Sequence, residues 1–443
     1  MNSARSWLVW GVAALAYIAA VLHRSSLGVA GPAASERFEV AATELSTLGA
    51  VQVGVYAAMQ IPVGVLLDRL GPRVLIASGA AVMAGGQLLV AIAEDMPLAI
   101  LGRVLVGIGD AATFISVIRL QSGWFRGPIL AQMSQYTAIS GQVGQLLSAV
   151  PFVWLLSAAG WTLSFGTLAA VGAVAFVLVL LIVFDAPPGG APPTGSIDVP
   201  EGWLPRLRSA FRTPGTRLGF WTHFSLLGST NLFLLLWGFP MLVEGLDYSQ
   251  AQAAGLMSIV VVTGMVVGPI VGITTARFPL RRSTLVLALV ALVVAAWAAV
   301  LAWPTQPPTW LVVLLLVVLG AAGPGSTVGF DFARTSNPLR VLGSANGIVN
   351  VGGFIATFAA MPAVGIILDL VHSARVAGGE AVGLYDWEGF RVALSFQFVL
   401  LALGFLMVVR MRRITRSRLR EEEGIEVGPL WAAIARRMRR RPD

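Results

Sequence analysis

The chain alternates long apolar runs with short polar breaks, and that pattern recurs from end to end. Each run holds about 20 residues, enough for a helix to cross about 30 Å of hydrocarbon. The first six runs predict helices over roughly Trp7–Gly31, Leu45–Leu67, Val74–Ala93, Leu98–Leu120, Ile129–Leu156 and, after Gly160 and Trp161, a sixth that ends near Phe184. The next six cover roughly Leu218–Val243, Ala251–Ala276, Ser283–Trp303, Trp310–Ala333, Val341–Leu370 and Phe390–Val409. One such run on its own could be a buried core helix, but twelve in series cannot. The pattern is interrupted once, between Asp185 and Arg217. There Pro187, Pro188, Gly189, Gly190, Pro192 and Pro193 rule out a spanning helix and mark a linker. Trp203, Leu204, Leu207 and Phe211 alternate with Arg206, Arg208 and Arg212, which predicts a short basic helix lying on the membrane surface.

Composition fits this reading. Hydrophobic residues make up 56% and charged ones 12%, and mean hydropathy is +0.81, more apolar surface than a soluble protein of 443 residues could bury. There is no cysteine, so disulfides and thiolate metal sites are excluded. The +8 net charge is carried wholly by arginine on the basic side. It lies in membrane-proximal turns and the tail, which argues against a nucleic-acid partner. The first run lacks a small-residue cleavage site and reads as a retained helix.

Charge also sets the expected orientation. Arg5, Arg69, Arg73, Arg126, the linker arginines, Arg277, Arg281, Arg282, Arg340 and the tail fall at alternate turns. The other turns carry Glu36, Glu94, Asp95, Glu244, Asp247, Glu380, Asp386 and Glu388. The positive-inside rule then places both termini in the cytoplasm. The tail has an apolar edge at Leu430, Trp431, Ile434 and Met438, and reads either as a helix on anionic lipid or as a solvated one.

Between the second and third runs the sequence Gly64-Val-Leu-Leu-Asp68-Arg69-Leu-Gly71-Pro-Arg73 forms a very short charged turn, suited to a conformational latch. A related stretch, Gly272 to Arg281, lies 208 residues further on, with Ala276 at the acid's position and Pro279 at the turn glycine's. Two six-helix halves of like orientation joined by a linker predict a pseudo-twofold axis along the membrane normal, with substrate bound between the halves. The expected division is residues 1–184 and 218–410 for the bundles, 185–217 for the linker with its surface helix, and 411–443 for the basic tail.

Gly64, Asp68, Arg69, Gly71 and Arg73 match the signature of the major facilitator superfamily, which the chain resembles from about residue 5 to 412. The resemblance implies an all-α membrane fold of twelve helices, alternating access, an inner-membrane location of the bacterial type and a monomer. It implies that Asp68 faces the positive N-terminal end of helix 11 and holds the halves together on the cytoplasmic side, with Arg69 and Arg73 pairing nearby. The alternative for these arginines is that they only anchor topology.

Ionisable residues within apolar runs are functional hypotheses by default. His23-Arg24-Ser-Ser-Leu-Gly-Val-Ala-Gly-Pro32 resembles helix 1 of the superfamily's anion–cation symporters and organophosphate antiporters. There an Arg eight residues before a Pro binds the anionic substrate, a role suited to a planar guanidinium that never loses its proton. The alternative is that Arg24 snorkels to water. His23 stands where many of those relatives carry an acid, and is a candidate proton carrier or a simple hydrogen-bonded histidine. Arg103 and Asp110 share a face of the fourth run, and the pattern resembles the symporters' helix-4 motif, whose acid takes up the coupling proton. Alternatively, Asp110 permanently neutralises Arg103 or Arg24.

Polar side chains recur at helical spacing. Gln52, Tyr56 and Gln60 mark the second run, Gln132, Gln135, Gln142 and Gln145 the fifth, and Asn346 and Asn350 the eleventh. Such stripes line an aqueous cavity or join helices. Helices 5 and 11 line the cavity in the resembled family, so Gln135, Gln142, Asn346 and Asn350 join Arg24 as candidate substrate contacts, with Tyr56 of the second run added to them, while Gln52 and Gln60 stay open between the two roles. Asp331 and Arg334 read as a cytoplasmic lock, and Arg103 is grouped with the gating residues. Leu232, eight residues before Pro240, stands where the organophosphate antiporters carry a second Arg, which argues for a singly charged anion. Gly141, Gly144 and Pro151 lack the Gly-Pro pair of drug antiporters.

The expectation is a proton-coupled symporter of a small organic anion, with no cofactor and no metal. A multidrug or metabolite exporter of the same fold is the alternative. A non-transporting receptor or scaffold is a third reading, without a signalling domain to support it. No nucleophile set, metal cluster or phosphate loop suggests an enzyme.

Overall fold

A computed structural model describes residues 2–40, 42–126, 129–187, 203–338 and 342–424. Arg340, the glycines and later prolines of the linker, and the apolar edge of the tail lie outside the described residues, as do the side chains of Asp68, Arg69, Gln132, Gln135, Trp203 and Arg206.

Among the described residues, eleven helical stretches are long and apolar enough to cross a membrane. The longest, Tyr136–Ile182, has 47 residues, more than two spans' worth. Gly160 divides it, with φ 73° and ψ −178°. Twelve spans result: α1 Ala4–Val29, α2 Glu44–Leu67, α3 Leu70–Ile92, α4 Met96–Gln121, α5 over 129–159, α6 over 161–182, α7 Pro214–Gly245, α8 Gln250–Arg277, α9 Pro279–Leu301, α10 Thr309–Ser336, α11 Leu342–Ala377 and α12 Trp387–Glu421. Two short helices accompany them, Gly31–Phe38 and the linker helix Trp203–Arg212.

The elements depart from the hydropathy pattern at their ends. The last helix, Gln397–Glu423, runs straight through the expected boundary at residue 410. Arg, Leu, Met and Glu are good helix formers, so loss of hydropathy there does not end the helix. Gly424 ends it in the left-handed conformation. The segment after α1, read from sequence as a polar break, is helical over Gly31–Phe38, with Pro32 in its first turn. The fifth span contains a π-helical turn at Ser148–Phe152, and α7 contains two, Phe233–Trp237 and Met241–Gly245, which hydropathy does not reveal.

The first six spans pack into one bundle and the last six into another. Close approach inside each bundle uses facing glycines. Gly79 and Gly86 of α3 meet Gly109 and Gly102 of α4, and Gly219 of α7 meets Gly329 of α10. Without a side chain the backbones can touch, which is how helices associate in lipid. Between the halves, α2 packs along α11, α5 meets α8, and α1 meets α7. The start of α1, the end of α4 and the end of α6 lie on one side. Asn2 donates to the carbonyl of Arg126, and the indole of Trp124 donates to the carbonyl of Phe184. This linker side also holds the α2–α3 turn.

Candidate functional site

Arg24 lies near the far end of α1, and its guanidinium turns into the seam between the halves. Nη1 stands 3.1 Å from Oδ2 and 3.4 Å from Oδ1 of Asp110 on α4. The Asp110 side chain is fully buried and that of Arg24 is 13% exposed. The guanidinium carbon sits 5.5 Å from the ring centre of Tyr56 on α2 and 5.8 Å from that of Phe354 on α11. Those rings are 4.1 Å apart. One cation is thus held by a carboxylate of the N-terminal half and by aromatic faces from both halves. Cation–π contacts in such desolvated places are worth about 2 kcal/mol, and removing one partner of a buried ion pair strands the other.

Arg103 takes no part in that ion pair. It is buried inside the N-terminal half, where it donates to the backbone carbonyls of His23 at 3.4 Å and Arg24 at 3.2 Å and to the side-chain oxygen of Gln52. Its place is therefore behind Arg24, pinning the α1 backbone. Neighbouring residues on a helix point about 100° apart, so His23 faces elsewhere. Its Nε2 lies 2.8 Å from the carbonyl of Leu168 on α6, with Gly172 beside the ring. Ser25 donates to Oε1 of Gln145 at 2.7 Å, tying α1 to α5.

Across the seam, the amide nitrogen of Asn350 on α11 donates to the Tyr56 hydroxyl at 3.2 Å and to Oε1 of Gln60 at 2.9 Å. Asn346, one turn earlier, has an amide oxygen without a partner. Gln142 lies against Gly264 where α5 meets α8. Beside Asn350 is His223 of α7, which the sequence reading passed over. It is 3% exposed, its Nδ1 lies 3.3 Å from the carbonyl of Ser326, and its Nε2 has no partner. A ring nitrogen facing a carbonyl carries a proton, so in the neutral ring Nε2 is the acceptor. The ring also meets Phe330 edge-on at 5.1 Å. A histidine within an apolar run was the signal that could have found it. Nothing in the sequence separates Phe354 from the more exposed Phe358, whose ring lies against Gly54 of α2.

The halves touch on both sides of Arg24. On the far side, a Cβ at Gly28 would lie 2.5 Å from the Leu235 carbonyl oxygen, and one at Gly365 3.0 Å from Oγ of Ser46. Toward the linker side, a Cβ at Gly347 would lie 3.4 Å from the Gln60 carbonyl, and Phe114 and Phe330 stand 6.2 Å apart. At the α2–α3 turn, Gly71 has φ 80°, a value other residues rarely adopt. Asp185, just past α6, accepts the Arg73 backbone N–H at 2.7 Å, capping α3. The Arg73 side chain donates to the Leu180 carbonyl at 2.7 Å and lies over Phe184. Asp185 was read from sequence only as the start of the linker. Gly64 faces the carbonyl of Gly343 across the seam. Asp331 and Arg334 pair at 2.6 Å on the linker-side end of α10.

Comparison with known proteins agrees with this architecture. The Major Facilitator Superfamily model matches residues 13–361. The probable L-galactonate transporter of Escherichia coli (strain K12) is 24% identical over 82% of this chain and 84% of its own. The probable galactarate/D-glucarate transporter of the same organism is 23% identical over 80% of this chain and 86% of its own. An uncharacterized transporter of Bacillus subtilis (strain 168) is 27% identical over 41% of each chain, so this chain spans less than half of that relative. Among solved structures, a bacterial homologue of the human lysosomal transporter Spinster, inward-facing and unoccupied, superposes with a TM-score of 0.68 at 16% identity, covering 93% of this chain and 98% of its own.

Proposed function

The chain belongs to the Major Facilitator Superfamily, and from that membership we propose that it is a proton-coupled symporter of a small organic anion. The observation that carries the reading is the Arg24–Asp110 pair at the seam, flanked by Tyr56 and Phe354. A substrate carboxylate competes with Asp110 for the same guanidinium, whose planar fork suits two parallel hydrogen bonds. The displaced Asp110 would then face an anion with no cation of its own. Taking up a proton removes that repulsion, so anion and proton bind as a pair. With both bound, Arg24 and its load are neutral, and the halves rock about the seam to expose the site on the other side.

Asn350, Asn346 and His223 supply neutral polar groups on the C-terminal half. Such groups suit hydroxyls, and two relatives are named for polyhydroxylated acids. L-galactonate carries one carboxylate but galactarate and D-glucarate carry two, so the names support sugar acids as a class. A single fixed arginine, with Leu232 where a second would stand, favours the monocarboxylic ones. The arginine-bearing turns support a cytoplasmic linker side, and the bacterial relatives support an inner membrane. The fixed cation in the seam favours an anion over the cationic drugs of an exporter.

The test is a thermal-shift screen of the purified full chain against galactonate, glucarate, glucuronate, phosphate and a cationic dye. Galactonate or glucuronate should stabilise the wild type and leave Arg24→Gln unmoved. Stabilisation by the dye, or by a sugar acid in Arg24→Gln and Arg24→Lys alike, would overturn the reading.

A further inference from the structure

The linker helix Trp203–Arg212 does more than connect the halves. Ala210 is fully buried against Ala333 of α10 and Ala345, Ile348 and Val349 of α11, so the helix is seated on the C-terminal half. Leu207, one turn earlier and half-buried, reaches past that seat. It lines a small cavity with Gln60, Ile61 and Val65 of α2 on one side and Gly343 and Gly347 of α11 on the other. One apolar side chain from a helix carried by the C-terminal half thus faces α2 across this cavity at the linker-side end of the α2–α11 seam. The other described side chains of the helix face outward. Leu204 is 59% and Phe211 55% exposed, and Arg208 and Arg212 are exposed beside them. The described side chains of this helix include no acid.

We propose that this helix is a lipid-held latch: anionic phospholipid headgroups of the linker-side leaflet bind Arg208 and Arg212, with Leu204 and Phe211 dipped into the leaflet, and thereby keep Leu207 in the seam. The reading rests on the rocking motion argued above, but it concerns a different surface. Charge and amphipathicity choose the occupant, since basic residues beside exposed apolar ones on a helix at the membrane boundary bind anionic lipid. Geometry supplies the coupling. If the linker-side ends of α2 and α11 part, Leu207 loses the α2 half of its pocket, so the seated position belongs to the closed form. A ligand that prefers the seated helix therefore shifts the population toward closure.

The chain has no cysteine, so an introduced pair reports cleanly. The full chain carrying Leu207→Cys and Ile61→Cys is placed in nanodiscs of phosphatidylcholine alone or with one-third phosphatidylglycerol, and disulfide formation is timed. The latch predicts crosslinking roughly tenfold faster with phosphatidylglycerol, given the attraction expected for two basic residues. Adding Arg208→Gln and Arg212→Gln, both at exposed positions, should abolish the difference. Equal rates in the two lipids, or a lipid effect that survives both substitutions, would overturn the proposal. A spin-label distance between Leu66→Cys and Gly343→Cys, measured in the same discs, reports opening separately. A distance that never changes would count against the transport reading, while the crosslinking comparison would still decide the latch.

Discussion

At the scale of single residues, the account places one cation and one carboxylate in competition with substrate. Arg24→Lys keeps the charge but loses the fork that could hold a carboxylate and the flat face that lies over Tyr56. Affinity for a sugar acid should fall by roughly tenfold or more in isothermal titration, with the Tm changed less than in Arg24→Gln, which leaves Asp110 unpaired. His223→Ala tests the C-terminal half. Losing one neutral hydrogen bond predicts a roughly three- to tenfold weaker binding of a hydroxylated acid, while its deoxy analogue is unaffected. Equal losses for both ligands would mean that His223 only supports the fold. Arg24 and Asp110 were each legible in the sequence, because a charge in an apolar run has few structural uses. Their pairing was not. Spacing along α4 made Arg103 an equally good partner for Asp110, and only the packing of α1 against α4 shows that Arg103 holds the carbonyls of His23 and Arg24 instead.

At the scale of elements, the twelve spans were readable because lipid imposes length and hydropathy on each of them. What hydropathy could not carry was anything set by backbone geometry: the left-handed Gly160 that parts α5 from α6, the π-turns of α7, and helical arginines beyond the membrane edge. The α2–α3 turn shows the same division. Its signature was visible, but the acid that caps it, Asp185, comes more than a hundred residues later. Asp185→Ala removes that cap and should lower the Tm by about 1 °C, as loss of a helix cap of about 1 kcal/mol does in a chain of this size. The glycines make a sharper pair of predictions. Gly109→Val acts inside the N-terminal bundle, where its Cβ meets the backbone of Gly79. It should cost stability without favouring either side. Gly28→Val instead pushes α1 from α7 on the far side, where the nearest atoms are the Leu235 carbonyl. It should make far-side cysteines label faster while linker-side labelling slows. Identical labelling patterns in the two variants would refute the assignment of Gly28 to a gate.

At the scale of the whole molecule, the structure joins two bundles through a thin polar seam that is shut above and below Arg24. In the proposed cycle the seam opens on one side at a time, each half being close-packed enough to move as a body. In that cycle Asp110 would link the motion to the proton, since an unprotonated Asp110 facing a bound anion would leave uncompensated charge in the seam. The most direct test is uptake of a radiolabelled sugar acid into proteoliposomes, with and without an inward proton gradient, in the wild type and in Asp110→Asn. The account predicts that the gradient drives accumulation by the wild type, and that Asp110→Asn exchanges substrate across the membrane but does not accumulate it. Accumulation by Asp110→Asn at the wild-type level, or wild-type uptake indifferent to the gradient, would contradict it.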